Sequence, residues 1–349
     1  MTGEPDTADA PRVRRKAIKL ALQGGGSHGA FTWGVLDRLL EDDRLEMEAV
    51  VGTSSGAMNA ALLVDGLLAG GRSAARARLA AFWAGLAWIA ALSPLQPSPL
   101  DRLLAPGSMD YSPLWRAMDV LSKVFSPYEL NPANASPIRD LLARNVDFDR
   151  LRNLEGPPLF VCATNVLTGR LRVFERKEIT LSALMASACL PMYFQAVEVE
   201  GSFYWDGGYS GNPPIFPLIY MGGCADIIIV QLNPINIPDV PRDVRSIIDR
   251  VNTLSFNASL MREMRMIRFV TDLIDRGELD GSKFLRVYIH MIDAEQELAK
   301  LNASSKLNAD GDFLRLLFDL GRARAEAFLA THFGDLGERS TVDIDEKFC

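Results

Sequence analysis

A serine flanked by glycines is the residue of this sequence with the clearest capacity for chemistry. Gly52-Thr53-Ser54-Ser55-Gly56 fits the pattern G-x-S-x-G and lies where a predicted buried strand turns into a predicted helix. A sharp turn there exposes the serine hydroxyl, and the flanking glycines Gly52 and Gly56 remove side chains that would obstruct the backbone. The helix N-terminus also favours the negative charge of a serine alkoxide. We predict that Ser54 is a nucleophile; Ser55 is the rival hydroxyl, one position off the turn.

A glycine-rich loop precedes this serine and admits two interpretations. Gly24, Gly26 and Gly29 follow a predicted strand with the spacing G-x-G-x-x-G, which is typical of dinucleotide-binding loops. Such loops also require an acidic residue at the end of the second strand, where this chain runs into the serine turn instead. Alternatively, the N–H groups of the loop, including that of Gly25, stabilise a negatively charged oxygen beside the serine. We favour this oxyanion loop over a dinucleotide-binding oxidoreductase.

A nucleophilic serine needs a general base, and the sequence offers two kinds. Asp206 ends a short predicted strand and is followed by Gly207 and Gly208, which allow other backbone to approach closely. An Asp-Gly pair is also a common hairpin turn, so Asp206 taken alone fits a turn residue better than a base. The usual base is histidine, and the chain has three: His28, His290 and His332. A triad of Ser54, Asp206 and one of the two late histidines therefore stays open at this point.

Composition argues against several other classes of protein. The 349 residues carry a formal net charge of −7, which removes the attraction that general nucleic-acid binders rely on, so we expect no nucleic-acid partner. The four cysteines lie far apart without C-x-x-C spacing, which fits reduced thiols in a cytoplasmic protein. Three histidines and no H-E-x-x-H motif offer no ligand cluster, so we expect neither a metal nor a cofactor.

The order of the predicted elements indicates an α/β protein with a mainly parallel central sheet. Strands over 17–23 and 47–51 alternate with helices over 28–40 and 57–68, which is typical of a parallel sheet covered on both faces. Further strands are predicted over 159–164, 171–174, 203–205, 227–232 and 284–289, and further helices over 244–275 and 313–331. The proline-rich segment 93–113 is predicted to hold only short, broken structure, either a cover over a site or a surface excursion.

These elements predict one large domain over 17–335, between a polar N-terminal tail at 1–16 and a C-terminal tail at 336–349. We find no pattern of a secretion signal in the first residues. The longest apolar stretch, 79–92, has 14 residues, fewer than the roughly 17 to 25 that span a bilayer. We therefore predict a buried or interfacial helix there.

Taken together, the motifs resemble those of the patatin-like phospholipases. The glycine-rich loop at 24–29, the G-x-S-x-G turn at 52–56 and the D-G-G motif at 206–208 occur in the order of that family. Segment 186–194 is similar to its A-S-x-x-x-P-x-x-F pattern and 212–214 to its N-x-P. The resemblance covers a motif core at about 17–235 and extends only weakly over a mainly helical extension at 236–335. It implies a three-layer α/β/α fold.

The resemblance also implies a mechanism and a substrate class. Ser54 would attack an ester carbonyl, Asp206 would accept its proton without the help of a histidine, and the N–H groups of Gly25 and Gly26 would hold the oxyanion. The implied substrate is a lipid acyl ester: a phospholipid, a lysophospholipid or an acylglycerol. Position 28 departs from the family pattern, because it holds histidine where arginine or lysine is more usual.

Contact with a membrane has modest support from the sequence. Arg72, Arg76 and Arg78 precede an apolar stretch with Trp83 and Trp88, which suits a peripheral membrane contact. An ordinary core helix with a solvated basic end fits the same pattern at least as well. A catalytically inactive lipid-binding or scaffold protein of the same fold is the alternative to an enzyme. The residues indicate no particular oligomeric state.

Overall fold

A computed structural model describes residues 15–281 and 283–349 of the chain. Within these residues one sheet of eight strands has the order β5-β6-β3-β2-β1-β7-β8, with β4 paired to β3. The strands are β1 (Lys16–Leu22), β2 (Leu45–Thr53), β3 (Leu159–Asn165), β4 (Leu171–Glu175), β5 (Val197–Val199), β6 (Ser202–Asp206), β7 (Asp226–Val230) and β8 (Tyr288–Ile292). The run β3-β2-β1-β7-β8 is parallel, whereas β4, β5 and β6 pair antiparallel.

Helices connect and cover these strands. They are α1 (Gly29–Glu41), α2 (Ser55–Leu92), α3 (Pro99–Leu104), α4 (Pro113–Val124), α5 (Pro127–Leu130), α6 (Pro137–Asn145), α7 (Phe148–Asn153), α8 (Leu181–Ser187), α9 (Phe216–Tyr220), α10 (Val244–Asp275), α11 (Glu295–Leu298), α12 (Gly311–His332) and α13 (Ile344–Phe348). Helices α3 to α6 each begin at a proline, whose fixed φ and missing N–H suit the first helical position. This explains why the proline-rich region holds short helices.

Two apolar cores lie on opposite faces of the sheet. Successive side chains of β1 point to opposite faces, so Leu20 and Leu22 join one core while Ala21 joins the other. The first core also receives residues of α1, α2 and α12, and the second receives residues of α9, α10 and α13. Helices therefore cover both faces, and the predicted α/β/α fold with a mainly parallel sheet is confirmed.

Two glycines bring α1 and α12 into backbone contact. A Cβ atom added at Gly34 of α1 would overlap the carbonyl oxygen of Phe318 in α12. A Cβ atom added at Gly321 of α12 would in turn overlap the carbonyl oxygen of Phe31 in α1. The C-terminal part of the chain thus packs directly on the helix that follows the glycine-rich loop.

Helix α2 consists of two helical segments within 38 residues, in agreement with the two helices that the sequence predicts. They are separated at Gly70 and Gly71, whose backbone is not helical and where Gly71 has φ of 73°. Its length and composition would allow it to cross a membrane, a weak criterion that the core helices of water-soluble proteins also meet. Its N-terminal part, which includes the buried residues Ala57 to Asp65, packs against the sheet.

The arginines considered for membrane contact bind groups of the protein instead. Arg72 donates to the carbonyl oxygen of Asp42 at 2.8 Å, Arg76 pairs with Asp37 at 2.8 Å, and Arg78 pairs with Asp65 at 3.1 Å. Trp83 is buried and stacks on Trp33, whereas Trp88 is exposed. This part of α2 therefore offers no free cluster of cations beside an aromatic surface.

The C-terminal residues are integrated into the domain. The strand predicted over 284–289 forms at Tyr288–Ile292 instead, because Tyr288 pairs with Asp226 at the start of β7. In the segment predicted as a C-terminal tail, Leu336, Ile344 and Phe348 are buried. The predicted N-terminal tail lies largely outside the described residues, and Lys16 already belongs to β1.

Candidate active site

Ser54 occupies the turn between β2 and α2 in a strained conformation. Its φ and ψ are 56° and −125°, a region that residues other than glycine rarely adopt and that costs about 1–3 kcal/mol. The Ser54 N–H donates to Ser187 Oγ at 2.9 Å, and the Ser54 carbonyl accepts from the Met58 N–H at 3.1 Å. The backbone is thus held on both sides, as a nucleophile elbow requires.

The two glycines of the elbow are required by close backbone approach. A Cβ atom at Gly52 would lie 2.5 Å from the carbonyl oxygen of Gly56. A Cβ atom at Gly56 would overlap the carbonyl oxygen of Leu22 at the end of β1. The pattern G-x-S-x-G therefore reflects close packing within the elbow, at Gly52, and between the elbow and the neighbouring strand, at Gly56.

The glycine-rich loop lies directly beside the elbow. It follows β1, which is the parallel neighbour of β2, so the carboxyl ends of the two strands meet at one edge of the sheet. A Cβ atom at Gly24 would lie 2.7 Å from Ser54 Cβ, and one at Gly29 would lie 2.8 Å from Ser55 Oγ. The loop therefore contacts both serines, which is the arrangement that the oxyanion interpretation requires.

The N–H groups of this loop differ in their availability. Gly24 donates to Asn212 Oδ1 at 2.7 Å, and Gly25 donates to Ser55 Oγ at 3.1 Å. Gly26, with φ of 61°, lines the cavity in front of Ser54, and its N–H has no hydrogen-bond partner among residues 15–281 and 283–349. Gly26 is thus the free donor, whereas Gly25 must exchange its bond to Ser55 for one to substrate.

Strand pairing brings Asp206 to the elbow. Thr53 of β2 pairs with Cys162 of β3, and the next residue of β3, Ala163, pairs with Asp206 of β6. Asp206 therefore lies level with Ser54. Its backbone is fixed by an N–H bond to the Cys189 carbonyl oxygen at 2.8 Å.

The glycines after Asp206 allow this close packing. A Cβ atom at Gly207 would overlap the carbonyl oxygen of Cys162, and one at Gly208 would overlap the ring of Phe256. The Gly208 N–H donates to Asp206 Oδ1 at 2.7 Å. Gly207 and Gly208 thus position the carboxylate against β3 and α10.

The environment of Asp206 suits a base. The residue is fully buried, and burial raises the pKa of its carboxyl from 3.8 to about 7. The Gly208 N–H, the Ser54 hydroxyl and the Lys306 ammonium lower this pKa, but by less than burial raises it. Its Oδ2 atom is buried and has no hydrogen-bond partner in the described part of the chain. The Ser54 hydroxyl is close enough to lower the pKa of this carboxyl, so the carboxylate lies beside the nucleophile.

The three histidines occupy other environments. His290 Nε2 pairs with Asp226 at 2.9 Å, and His332 Nδ1 pairs with Asp335 at 2.9 Å; neither lines the cavity that contains Ser54. His28 does line it, but its Nε2 bonds to Ser305 Oγ at 2.7 Å. Burial lowers the pKa of His28 to about 3, which makes it a weak base at neutral pH.

Ser54, Asp206 and Gly26 open into a cavity of about 1210 Å³. Its walls come from the glycine-rich loop, from α4, from α10 and from the short helical turn Ala303–Leu307. The segment predicted as a cover or surface excursion contributes Asp110 to this lining. In the described ranges, no group of three or more His, Cys, Asp or Glu side chains is placed to hold a metal ion.

Sequence reasoning missed two residues at this site. Ser187, which accepts from the Ser54 N–H, lies in the A-S-x-x-x-P segment, and the serine of that motif was its only signal. Lys306 lines the cavity from the C-terminal extension, and no motif surrounds it. Asn212, noted only as part of N-x-P, anchors the glycine-rich loop through Gly24.

Two solved structures are similar to this chain at low sequence identity. Among solved structures, VipD from Legionella pneumophila is similar with 14% identity and a TM-score of 0.45, over 91% of this chain and 67% of that one. The ExoU–SpcU complex of the Pseudomonas aeruginosa type III secretion system matches with 19% identity and a TM-score of 0.30, over 71% of this chain and 52% of that one. The chain thus spans about half the length of that second structure.

A comparison with curated proteins gave no significant match. A family model does match, and its description is "Patatin-like phospholipase". The match extends over residues 20–219, more than half of the chain, and includes the glycine-rich loop, the elbow and the D-G-G motif. The chain belongs to the patatin-like phospholipase family.

Proposed function

We propose that this protein is a serine lipid acyl hydrolase that cleaves carboxylic esters of phospholipids, lysophospholipids or acylglycerols through a dyad of Ser54 and Asp206. The observation that carries the proposal is the pairing of a strained, positioned serine with a buried carboxylate that lies close enough for the serine hydroxyl to affect its pKa. The pKa of Asp206, about 7, leaves a substantial fraction ionised at neutral pH and thus able to accept a proton.

In the first half of the reaction, Ser54 Oγ attacks the ester carbonyl while Asp206 accepts the hydroxyl proton. The carbonyl oxygen becomes an oxyanion that accepts hydrogen bonds from the N–H groups of Gly26 and, after exchange, Gly25. When the tetrahedral intermediate collapses, the C–O bond of the ester breaks and Asp206 returns the proton to the leaving alcohol.

In the second half, water attacks the acyl group on Ser54 while Asp206 accepts a proton from the water. Collapse of the second tetrahedral intermediate releases the carboxylic acid, and the proton on Asp206 returns to Ser54 Oγ. One residue thus acts as base and acid in turn, so the reaction requires no histidine.

We also propose peripheral contact with lipid membranes, in a cytoplasmic setting that suits the four unpaired cysteines. Helix α4 supports the contact, because Asp119, Ser122 and Lys123 line the cavity while Leu121 and Val124 are exposed. An apolar face on the solvent side of a cavity wall fits insertion into a lipid surface beside the site.

Covalent labelling with a fluorophosphonate tests the proposed nucleophile. Wild-type protein should be labelled at Ser54, as mapped by mass spectrometry, and Ser54→Ala should lose both labelling and ester hydrolysis. Ser55→Ala is the matched control and should still be labelled at Ser54. Labelling at Ser55, or a folded wild-type protein that neither reacts nor cleaves esters, would exclude the proposal and favour a lipid-binding role.

A further inference from the structure

Lys306 is a cation in the catalytic cavity that no motif of the family supplies. It lies on the turn Ala303–Leu307, which belongs to the C-terminal extension beyond the matched residues 20–219. Its carbonyl oxygen packs so closely against Gly26 that a Cβ atom there would overlap it. The turn is fixed on the other side by the bond between Ser305 and His28. The ammonium is therefore carried by backbone that is in contact with the glycine-rich loop.

The ammonium of Lys306 has unused hydrogen-bonding capacity. Its Nζ donates to Asn233 Oδ1 at 2.7 Å, the one hydrogen bond that it makes within the described residues, although an ammonium has three N–H donors. Asn233 is fully buried and donates to the Gly24 carbonyl oxygen at 2.7 Å, which ties the lysine to the loop. Two N–H donors of Lys306 thus remain free beside the cavity.

The charge of Lys306 is also incompletely compensated. Asp206 and Asp249 attract it from a distance, but among the described residues no carboxylate forms an ion pair with it. Burial lowers the pKa of Lys306 to about 8, so the group remains about nine-tenths protonated at pH 7. A partly buried ammonium without a contacting anion is costly unless a ligand supplies the anion.

A second cation with a free donor lines the same cavity. Arg250 of α10 donates through Nη2 to the Ile235 carbonyl oxygen at 2.9 Å, while its Nη1 is buried without a partner in the described part of the chain. Arg245, by comparison, is neutralised by Asp110 at 3.0 Å. Lys306 and Arg250 bind opposite ends of the segment 233–235, and each has N–H donors without a partner among the described residues.

We propose that Lys306, assisted by Arg250, forms a binding subsite for the phosphate of a phospholipid head group, so that the enzyme discriminates phosphate-bearing lipid esters from neutral acylglycerols. This inference rests on the proposed hydrolase function and assigns a role to side chains outside the catalytic motifs. A phosphodiester fits because it presents unesterified oxygens to both cations while the acyl ester of the same molecule reaches Ser54. His28, neutral at physiological pH, leaves this role to Lys306.

The test compares two substrates with one dodecanoyl chain, lysophosphatidylglycerol and monoacylglycerol, both below their aggregation limits. Lys306→Met should lower kcat/KM for the lysophospholipid at least about tenfold and change that for the monoacylglycerol less than about twofold. Lys177→Met is the matched control, since Lys177 is exposed and does not line the cavity, and should change neither rate. Equal losses on both substrates would overturn the proposal, because they would place Lys306 in the shared chemical step.

A binding experiment separates this subsite from catalysis. In the Ser54→Ala background, calorimetry should show that Lys306→Met weakens binding of lysophosphatidylglycerol at least about tenfold but leaves monoacylglycerol binding unchanged. If Lys306→Met does not fold, Arg250→Met replaces it with the same criterion. Unchanged lysophospholipid binding refutes the subsite even where Ser54 is an active nucleophile. Selective weakening of lysophospholipid binding supports the subsite even if the wild-type protein cleaves no ester. In that case only the proposed function fails.

Discussion

Replacing Asp206 by Asn should give an inactive protein that is more stable than the wild type. The asparagine keeps the shape of the side chain, and its Oδ1 atom can still accept the Gly208 N–H. It cannot accept a proton from Ser54, so kcat should fall about 10⁴-fold or more, comparably with Ser54→Ala, because the two groups act as a unit.

The gain in stability follows from the raised pKa of Asp206. Below pH 3.8 the carboxyl is protonated in both the folded and the unfolded protein, and burial of the neutral group carries no charge penalty. As the pH rises from 3.8 towards 7, the unfolded protein ionises while the folded protein does not, so wild-type stability falls. The full difference corresponds to about 4 kcal/mol above pH 7.

Urea denaturation at two pH values measures this effect. The free energy of unfolding of Asp206→Asn should exceed that of the wild type by up to about 4 kcal/mol near pH 8, and by less than about 2 kcal/mol near pH 5. Esterase activity is measured on the same samples. An Asp206→Asn protein that is active, or that is less stable than the wild type near pH 8, would refute the assignment of Asp206 as a buried, ionised base.

Four further outcomes follow from the site. The acidic limb of kcat/KM on a neutral ester should have its midpoint near pH 7, where Asp206 ionises; a rate that stays constant down to pH 5 would contradict this. His290→Ala and His332→Ala, shown folded by circular dichroism, should retain most activity, and loss as complete as in Ser54→Ala would restore a histidine triad. Activity should survive EDTA; a loss that one divalent ion restores would show a missed metal site. Leu121→Asp, on the exposed face of α4, should weaken binding to phosphatidylcholine vesicles while leaving hydrolysis of a soluble ester unchanged, whereas unaltered vesicle binding would argue against that membrane contact.

The central sheet and the elbow were predictable because local sequence determines them. A buried strand, a glycine and a helix fix where Ser54 lies, and two such units in succession predict a parallel sheet. Helix α10 begins and ends at the predicted residues, and Asp243 caps its N-terminus by accepting from the N–H groups of Arg245 and Ser246. The positions of these elements along the chain and relative to the sheet therefore follow from patterns within a few residues.

The remaining features depend on contacts between distant parts of the chain. Lys306 reaches the site through Asn233, 73 positions away, and no local pattern records that contact. The start of β8 is set by pairing with β7. The prediction from the apolar run alone, 284–289, therefore begins too early.

The reciprocal glycine packing of α1 and α12 has a consequence for how the chain can be divided. The matched family segment ends at residue 219, yet the helix that supports its glycine-rich loop has Gly34 in backbone contact with Phe318. Cutting the chain near the end of that segment would remove α12 and expose the apolar face of α1. We therefore expect that the matched segment does not fold on its own, and that the end of the family match does not coincide with a boundary of cooperative folding.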